Sequence, residues 1–132
     1  MIYMASKVRH APRWRALREA GVPISSTWID EPDPPTDFAS LWERCIRESA
    51  QAKVCLVYVE PEETLKGAIA EVGSTLGAGG FVFWVGPVGR NTVTSHKRVR
   101  VYDKSPRESL FTALYGVYEC LGLRDYLDST EH

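Results

Sequence analysis

The segment Lys66-Gly67-Ala68-Ile69-Ala70-Glu71-Val72-Gly73-Ser74 lies between two short apolar segments, residues 54–59 and 81–85. Each apolar segment has the length and the near-continuous apolar composition of a strand that is buried on both faces, as in a parallel sheet. Two parallel strands need a crossover connection, which is usually a helix. The sequence therefore predicts a strand–helix–strand unit in which this segment begins the helix.

Glu71 stands four residues after Gly67, so the two residues share one face of that helix. Helical side chains lean toward the N-terminus, which places the Glu71 carboxylate over the turn that carries Gly67. A glycine in a helix costs about 1 kcal/mol relative to alanine. We therefore predict a carboxylate with open space beside it, and Ser74 continues the same face. The alternative is a solvated glutamate above a closely packed helix.

The rest of the chain extends this unit into an alternating α/β pattern. Further strands are predicted at residues 2–5, 22–30 and 99–102, and further helices at Pro12–Ala20, Asp37–Ala52 and from Pro106 onward. The helix Asp37–Ala52 carries apolar residues at helical spacing on one face, which predicts an amphipathic helix: Phe38, Leu41, Trp42, Cys45 and Ile46. We predict a single domain over residues 1–132, with a mostly parallel five-stranded sheet in a three-layer Rossmann-like (flavodoxin-like) fold.

Composition and charge are those of an ordinary globular domain, with 44% hydrophobic residues and a net charge of −1. This charge argues against nucleic-acid and membrane-surface partners, and no apolar run is long enough to span a bilayer. The spacing of Cys45, Cys55 and Cys120 predicts neither a disulfide framework nor a zinc site. Each cysteine lies among apolar residues, so all three are predicted to be core residues, in a cytoplasmic protein.

In parallel α/β sheets, ligands bind at the edge where the strands end. The predicted loops at that edge carry polar residues that are candidates for a site: Ser6, Arg9, Asp30, Glu60, Glu62, Glu63 and Arg90. Two aromatic residues, Tyr3 and Trp28, lie near the same edge. Packing in the core is the alternative role for the aromatic residues, and solvation is the alternative for the charged ones.

The chain resembles the nucleoside 2-deoxyribosyltransferase family and its relatives that hydrolyse the N-glycosidic bond of deoxynucleoside monophosphates. The resemblance rests on Ile2-Tyr3, on residues 67–73 and on Gly79-Gly80. Residues 25–30 and 65–68 also resemble small phage and bacterial proteins that are placed loosely in that family. The resemblance implies that Glu71 is a nucleophile and that the phenol of Tyr3 hydrogen-bonds to it.

One departure from the family concerns the general acid. The family usually has aspartates in the segment before the central helix, including one that begins the third strand, where this chain has Lys53. We therefore expect the acid among the other carboxyl groups of the same edge: Asp30, Glu60, Glu62 and Glu63. Asp30 and Glu63 complete the predicted catalytic set.

The resemblance implies cleavage or transfer at the N-glycosidic bond of a 2′-deoxynucleoside or its 5′-monophosphate, through a covalent glycosyl-enzyme. The predicted substrate-binding residues are Ser6, Arg9, Trp28, Gly67, Ser74 and Arg90. Ser6, Lys7 and Arg9 after the first strand, together with Arg90, favour the monophosphate, because hydroxyls and cations bind phosphate.

We predict no metal, no cofactor, and no nucleic-acid or membrane partner. We also predict a homodimer or a higher homo-oligomer, because relatives complete their sites across a subunit interface. The alternative function is that of a non-catalytic nucleotide-binding or sensing domain with the same fold.

Overall fold

The structure, a computed structural model, describes residues 1–104 and 106–122. Over these residues the chain forms an α/β domain with four α-helices and one sheet. In chain order the elements are β1 (Ile2–Ala5), α1 (Ala11–Glu19), α2 (Phe38–Gln51), β2 (Val54–Tyr58), α3 (Gly67–Gly77), β3 (Phe81–Val85), β4 (Val99–Tyr102) and α4 (Pro106–Cys120).

The sheet has the order β1-β2-β3-β4, and every neighbouring pair of strands is parallel. The first three strands are almost completely buried, whereas β4 lies at one edge and is partly exposed. The near-continuous apolar composition of residues 54–59 and 81–85 therefore indicated burial on both faces correctly. The parallel sheet predicted from the sequence is confirmed.

The prediction of a fifth strand at residues 22–30 is wrong. Ile24 makes one isolated parallel bridge with Ile2 on the outer side of β1. The chain then turns into a short 3-10 helix, Thr27–Asp30. Among the described residues the sheet therefore has four strands rather than five.

Two side chains explain why strand pairing stops after Ile24. The Oγ of Ser26 accepts a hydrogen bond of 3.1 Å from the N–H of Met4, and the Nε1–H of Trp28 donates one of 2.7 Å to the carbonyl of Met4. Buried backbone groups need partners, and here side chains supply them in place of a neighbouring strand. The backbone of residues 26–30 is consequently free to leave the extended conformation.

One face of the sheet is covered by α3. The register places Tyr3, Cys55 and Val82 side by side on this face. Glu71 and Thr75 of α3 interact with Tyr3 and Cys55, respectively. Helix α2 packs against α3 and so forms the outer part of this side of the domain.

The opposite face is covered by α1 and α4. Tyr58 of β2 contacts Trp14 of α1 edge-on, with ring centroids 5.3 Å apart. Helix α4 approaches β3 so closely at Gly116 that a Cβ there would lie 3.2 Å from the ring of Phe83. Helices therefore flank the sheet on both faces, as predicted. None of the helices in the described part of the chain has the length and apolar character needed to cross a membrane.

Candidate functional site

A cleft of about 270 Å³ opens where β1 ends. We call it the Glu71 cleft. Four segments form its walls: the loop after β1, the segment that follows the 3-10 helix, one face of α2, and the start of α3. The residues that line it are Ser6, Lys7, Val8, Trp28, Glu31, Pro32, Pro35, Phe38, Leu41, Trp42, Cys45, Leu65, Lys66, Gly67, Ala68 and Glu71.

One wall of the cleft is the apolar face of α2. The amphipathic helix predicted at Asp37–Ala52 is present, but α2 packs on α3 and leaves much of its apolar face open. Phe38 is 59% exposed and Trp42 is 41% exposed, and both line the cleft. Large apolar side chains exposed next to a cavity are typical of ligand sites and interfaces.

Gly67 lies opposite this wall, at the first position of α3. A Cβ at Gly67 would stand 3.1 Å from the indole ring of Trp42. The Trp42 ring therefore fills part of the space predicted beside Glu71, and the rest of that space belongs to the cleft. Gly67 permits the close approach of Trp42 in addition to lining the cleft.

Glu71 lines the cleft and is only 8% exposed. Burial raises the pKa of its carboxyl group to about 7, because a charge is poorly solvated there. The nearby hydroxyl of Tyr3 and thiol of Cys45 lower this pKa, and the Glu48 carboxylate raises it. Glu71 is thus a buried acid that titrates near neutral pH, which is typical of functional groups.

Tyr3 lies beneath the cleft, on β1, and is 0% exposed. Its hydroxyl makes no hydrogen bond of ordinary geometry, although it is close enough to Glu71 and Cys45 to influence their pKa values. Burial and the neighbouring Glu71 raise the pKa of the phenol, so it keeps its proton. A buried donor without a partner is costly, and native structures contain few of them.

Cys45 was not predicted to be a site residue, but it lines the cleft on the inner side of α2. It is 5% exposed, and burial raises the pKa of its thiol to about 11. The sequence identified it as one apolar position among several on an amphipathic helix. Its place beside Glu71 depends on how α2 packs on α3, which no local pattern encodes.

Two of the predicted substrate-binding residues, Ser6 and Trp28, line the cleft, and both have their polar atoms engaged. The Oγ of Ser6 accepts from Nε1–H of Trp14 at 2.8 Å and donates to the carbonyl of Lys7 at 2.9 Å. Trp28 donates its Nε1–H to Met4. These bonds fix both side chains, so Trp28 contributes an apolar ring surface to the cleft.

The two predicted acids lie outside the cleft. Asp30 is exposed and forms two bonds of 2.8 and 2.9 Å with Arg18, whose guanidinium lowers the pKa of that carboxyl. Burial alone raises the pKa of Glu63, but hydrogen bonds from the Glu60 N–H, Arg9 and His10 outweigh it and the net pKa is lowered. Both groups are therefore held as carboxylates, which suits them poorly to donate a proton.

Three predicted substrate-binding residues are also placed elsewhere. Arg9 contacts the carboxylates of Glu60, Glu62 and Glu63 at 2.7 to 2.9 Å. Ser74 donates to the carbonyl of Ile46 at 2.9 Å and so links α3 to α2. Arg90 is exposed in the loop after β3 and does not line the cleft.

Other charged residues occupy the cleft instead. Lys7 and Lys66 are the cations among the described lining residues. Glu31 is the remaining carboxylate there, and it forms an ion pair with Arg44 of α2. Lys7 was one of the predicted phosphate-binding residues, whereas Lys66 was not, and the sequence signal for Lys66 was its position at the start of α3.

Among the described residues, His10, Glu60 and Glu63 bring ligand atoms within 4.8 Å of one another, which is the spacing of a metal site. However, Arg9 contacts both carboxylates, and His10 is 3.0 Å from Glu63. This group therefore forms an ion-paired network that joins the loop after β1 to the loop after β2.

No family model matches the chain, and no curated protein matches it either. The resemblance to nucleoside 2-deoxyribosyltransferases therefore rests on the motif residues alone. Of those residues, Gly67 and Glu71 line the cleft and Tyr3 lies beneath it, near Glu71.

Proposed function

We propose that this protein cleaves the N-glycosidic bond of 2′-deoxynucleoside 5′-monophosphates, with Glu71 as the nucleophile. The observation that carries the proposal is a buried carboxyl group on the wall of a cleft, beside an unpartnered tyrosine hydroxyl. The resemblance of the Tyr3 and Gly67–Gly73 motifs to the deoxyribosyltransferase family supports the same assignment. We also propose that the fold is Rossmann-like (flavodoxin-like), with four strands in the sheet instead of the predicted five.

The reaction requires Glu71 in its ionised form. Its carboxylate attacks the anomeric carbon of the sugar, and the base departs with the electron pair of the C–N bond. The resulting glycosyl ester is then broken by water, or by a second base, which gives transfer. Tyr3, whose buried hydroxyl has no partner, is the proposed donor to the carboxylate.

The phosphate assignment depends on Lys7, Lys66 and the start of α3. Helix α3 has no acidic residue in its first turn and no side-chain cap, so its first N–H groups are not satisfied by a cap. Such a helix start attracts anions, and two lysines in the same cleft add to that attraction. Lys7 is thus kept from the predicted phosphate ligands, and Lys66 with the start of α3 replaces Arg9 and Arg90.

The charge on Glu31 affects the choice of leaving base. Its carboxyl group is engaged by Arg44 in an ion pair, so we assign it no role as the acid. A departing base would then take its proton from water. This favours purines, whose exposed ring nitrogen N7 accepts a proton before the bond breaks.

We also propose that the protein is a homo-oligomer. Phe38 and Trp42 form the rim of the cleft, and Ile46 extends the same face of α2. Exposed apolar side chains at consecutive helical turns are typical of a face that packs on another subunit.

The decisive experiment measures the release of free base by chromatography. Deoxynucleoside 5′-monophosphates, the corresponding deoxynucleosides and ribonucleotides are supplied at equal concentration. We expect release from the deoxynucleoside monophosphates, with a rate that rises through about pH 7 as Glu71 ionises. Glu71→Gln should lower the rate by at least about a hundredfold, or roughly 2.7 kcal/mol in the barrier.

Glu48→Gln is the matched control for Glu71→Gln, because Glu48 is a neighbouring carboxylate that does not line the cleft. It should retain activity within about threefold of wild type, roughly 0.7 kcal/mol. Lys66→Ala should weaken the preference for phosphorylated substrates, whereas Arg90→Ala should not. Equal activity of Glu71→Gln and wild type would refute the nucleophile assignment.

A non-catalytic nucleotide sensor is the second candidate, and one observation favours it. The described cleft residues provide no second carboxyl group that is free to protonate a base. Calorimetry with wild type and Glu71→Gln distinguishes the two functions. Tight binding of monophosphates without base release, in both proteins, would establish the sensor.

A further inference from the structure

Helix α2 brings the thiol of Cys45 into the same cleft as Glu71. Both side chains are buried, and both line the cleft, although they come from different helices. Most of the other residues that line the cleft are apolar. Burial in such surroundings disfavours an ionised carboxylate unless hydrogen-bond donors are at hand.

The hydroxyl of Tyr3 is a hydrogen-bond donor without an acceptor. It is fully buried on β1 and has no hydrogen-bond partner. The groups it approaches are the Glu71 carboxyl and the Cys45 thiol. Of these two groups, an ionised Glu71 carboxylate is the stronger acceptor.

We propose that Cys45 is a positioning residue for Glu71, and that its S–H group donates to the carboxylate together with the Tyr3 hydroxyl. Its role in turnover rests on the function proposed above. The proposed donation does not, because it can be tested in the folded protein without substrate. Cys45 would hold the ionised carboxylate in place, while Glu71 forms the bond to the sugar.

Other titratable groups face Glu71 from the elements packed around it. Glu48 of α2 opposes ionisation, and its oxygens accept from the N–H and hydroxyl of Thr27 at 2.9 and 2.8 Å. Cys55 of β2 is completely buried, and its thiol interacts with the side chain of Thr75. Among the described residues, Tyr3 and Cys45 are therefore the donors that favour the carboxylate.

The chemistry of a thiol suits this position on a helix. Serine hydroxyls in helices commonly bond to the carbonyl four residues earlier, as Ser49 does to Cys45 at 2.6 Å. A serine at position 45 would divide its donation between such a carbonyl and the carboxylate, so it should restore part of the effect of the thiol. A thiol is a weaker donor to a carbonyl, so its S–H remains available for the stronger acceptor, a carboxylate.

The test compares Cys45→Ala, Cys45→Val and Cys45→Ser with wild type in two measurements. The first is the titration of Glu71, followed by carbon NMR on protein with ¹³C-labelled glutamate, with Glu71→Gln assigning the signal. The second is the pH profile of base release. Cys55→Ala is the matched control, because it removes a buried thiol that does not line the cleft.

We expect the Glu71 midpoint to move to higher pH in Cys45→Ala and Cys45→Val, and to lie lower in Cys45→Ser than in Cys45→Ala. In the rate profile this appears as roughly a threefold or greater loss below pH 7 that vanishes above pH 8, the effect of losing one weak hydrogen bond. Cys55→Ala should leave the midpoint unchanged.

Two results would overturn the proposal. One is an unchanged midpoint in a folded Cys45→Ala or Cys45→Val protein. The other is an equal shift in all three Cys45 variants, which would indicate packing rather than donation. The NMR titration needs no substrate. An absence of base release with a shifted midpoint would therefore refute the proposed function and leave this inference intact.

Discussion

The proposed reaction needs Glu71 as a charged carboxylate, but the burial of this side chain disfavours the charge. In the unfolded chain its pKa is near the ordinary value of 4.5, and in the folded protein it is about 7. The folded state therefore keeps a proton that the unfolded state loses between these values. The stability from this proton is fully present below pH 4.5 and is lost as pH rises through 7.

This difference predicts that Glu71→Gln stabilises the protein at alkaline pH. The gain should be on the order of 3 kcal/mol at pH 8, because one pKa unit corresponds to about 1.4 kcal/mol, and it should shrink toward pH 5. Thermal unfolding at both pH values measures it. Glu48→Gln should give a much smaller pH-dependent change. A variant less stable than wild type at pH 8 would contradict the buried, proton-retaining carboxyl.

A second prediction concerns the substitution of Gly67. Gly67→Val should displace the Trp42 ring, which lies 3.1 Å from the position of a Cβ, and should narrow the cleft. We expect the helix to stay intact, tryptophan fluorescence to change, and nucleotide affinity to fall by at least about tenfold, roughly 1.4 kcal/mol.

Gly73 provides the control for this substitution. It lies on the same helix, and a Cβ there would meet no atom within 4 Å. Gly73→Val should leave both fluorescence and affinity near wild type. If the two variants bind equally well, the ligand does not occupy the cleft beside Gly67.

At the scale of elements, the outer edge of β1 depends on side chains instead of a strand. Ser26→Ala would leave the buried N–H of Met4 without its acceptor. Such a loss costs about 1–3 kcal/mol. Urea denaturation should show this decrease in the free energy of unfolding. Ser25→Ala removes only a long 3.4 Å bond to Ile2, so its effect should be much smaller.

The elements also show which features a sequence encodes locally. The strands β1 to β4 and the four helices were predictable, because apolar runs and helical spacing mark them without reference to distant residues. The failed strand at 22–30 had the right local composition. This segment does not form a strand because the side chains of Ser26 and Trp28 hydrogen-bond to the backbone of Met4, more than twenty residues away.

The candidate site was likewise predictable only in part. The approach of Glu71 to Gly67 and Tyr3 followed from helical spacing and from a motif. Cys45 and Lys66 were missed as site residues, and Arg9 was assigned to the ligand although three carboxylates engage it. Charge pairing between loops depends on tertiary geometry, so residue type alone does not reveal which cation stays free.

At the scale of the whole molecule, the open face of α2 predicts self-association. Light scattering after size-exclusion chromatography should show a homo-oligomer, and Phe38→Ser should shift it toward the monomer with little loss of stability. Phe111→Ser is the matched control, because Phe111 is 67% exposed on α4 and does not line the cleft. A monomeric wild type, or equal effects of both substitutions, would exclude α2 as the subunit interface.

The strand order of the sheet follows the order of the chain, β1-β2-β3-β4. A ribosome therefore releases the strands in the sequence in which they pair, and no strand has to enter between two that are already in place. Each new strand joins a free edge, and the helix synthesised just before β3 is the one that covers the completed pair. Such a sheet can assemble from its first edge outward while synthesis continues, with β4 and α4 added last.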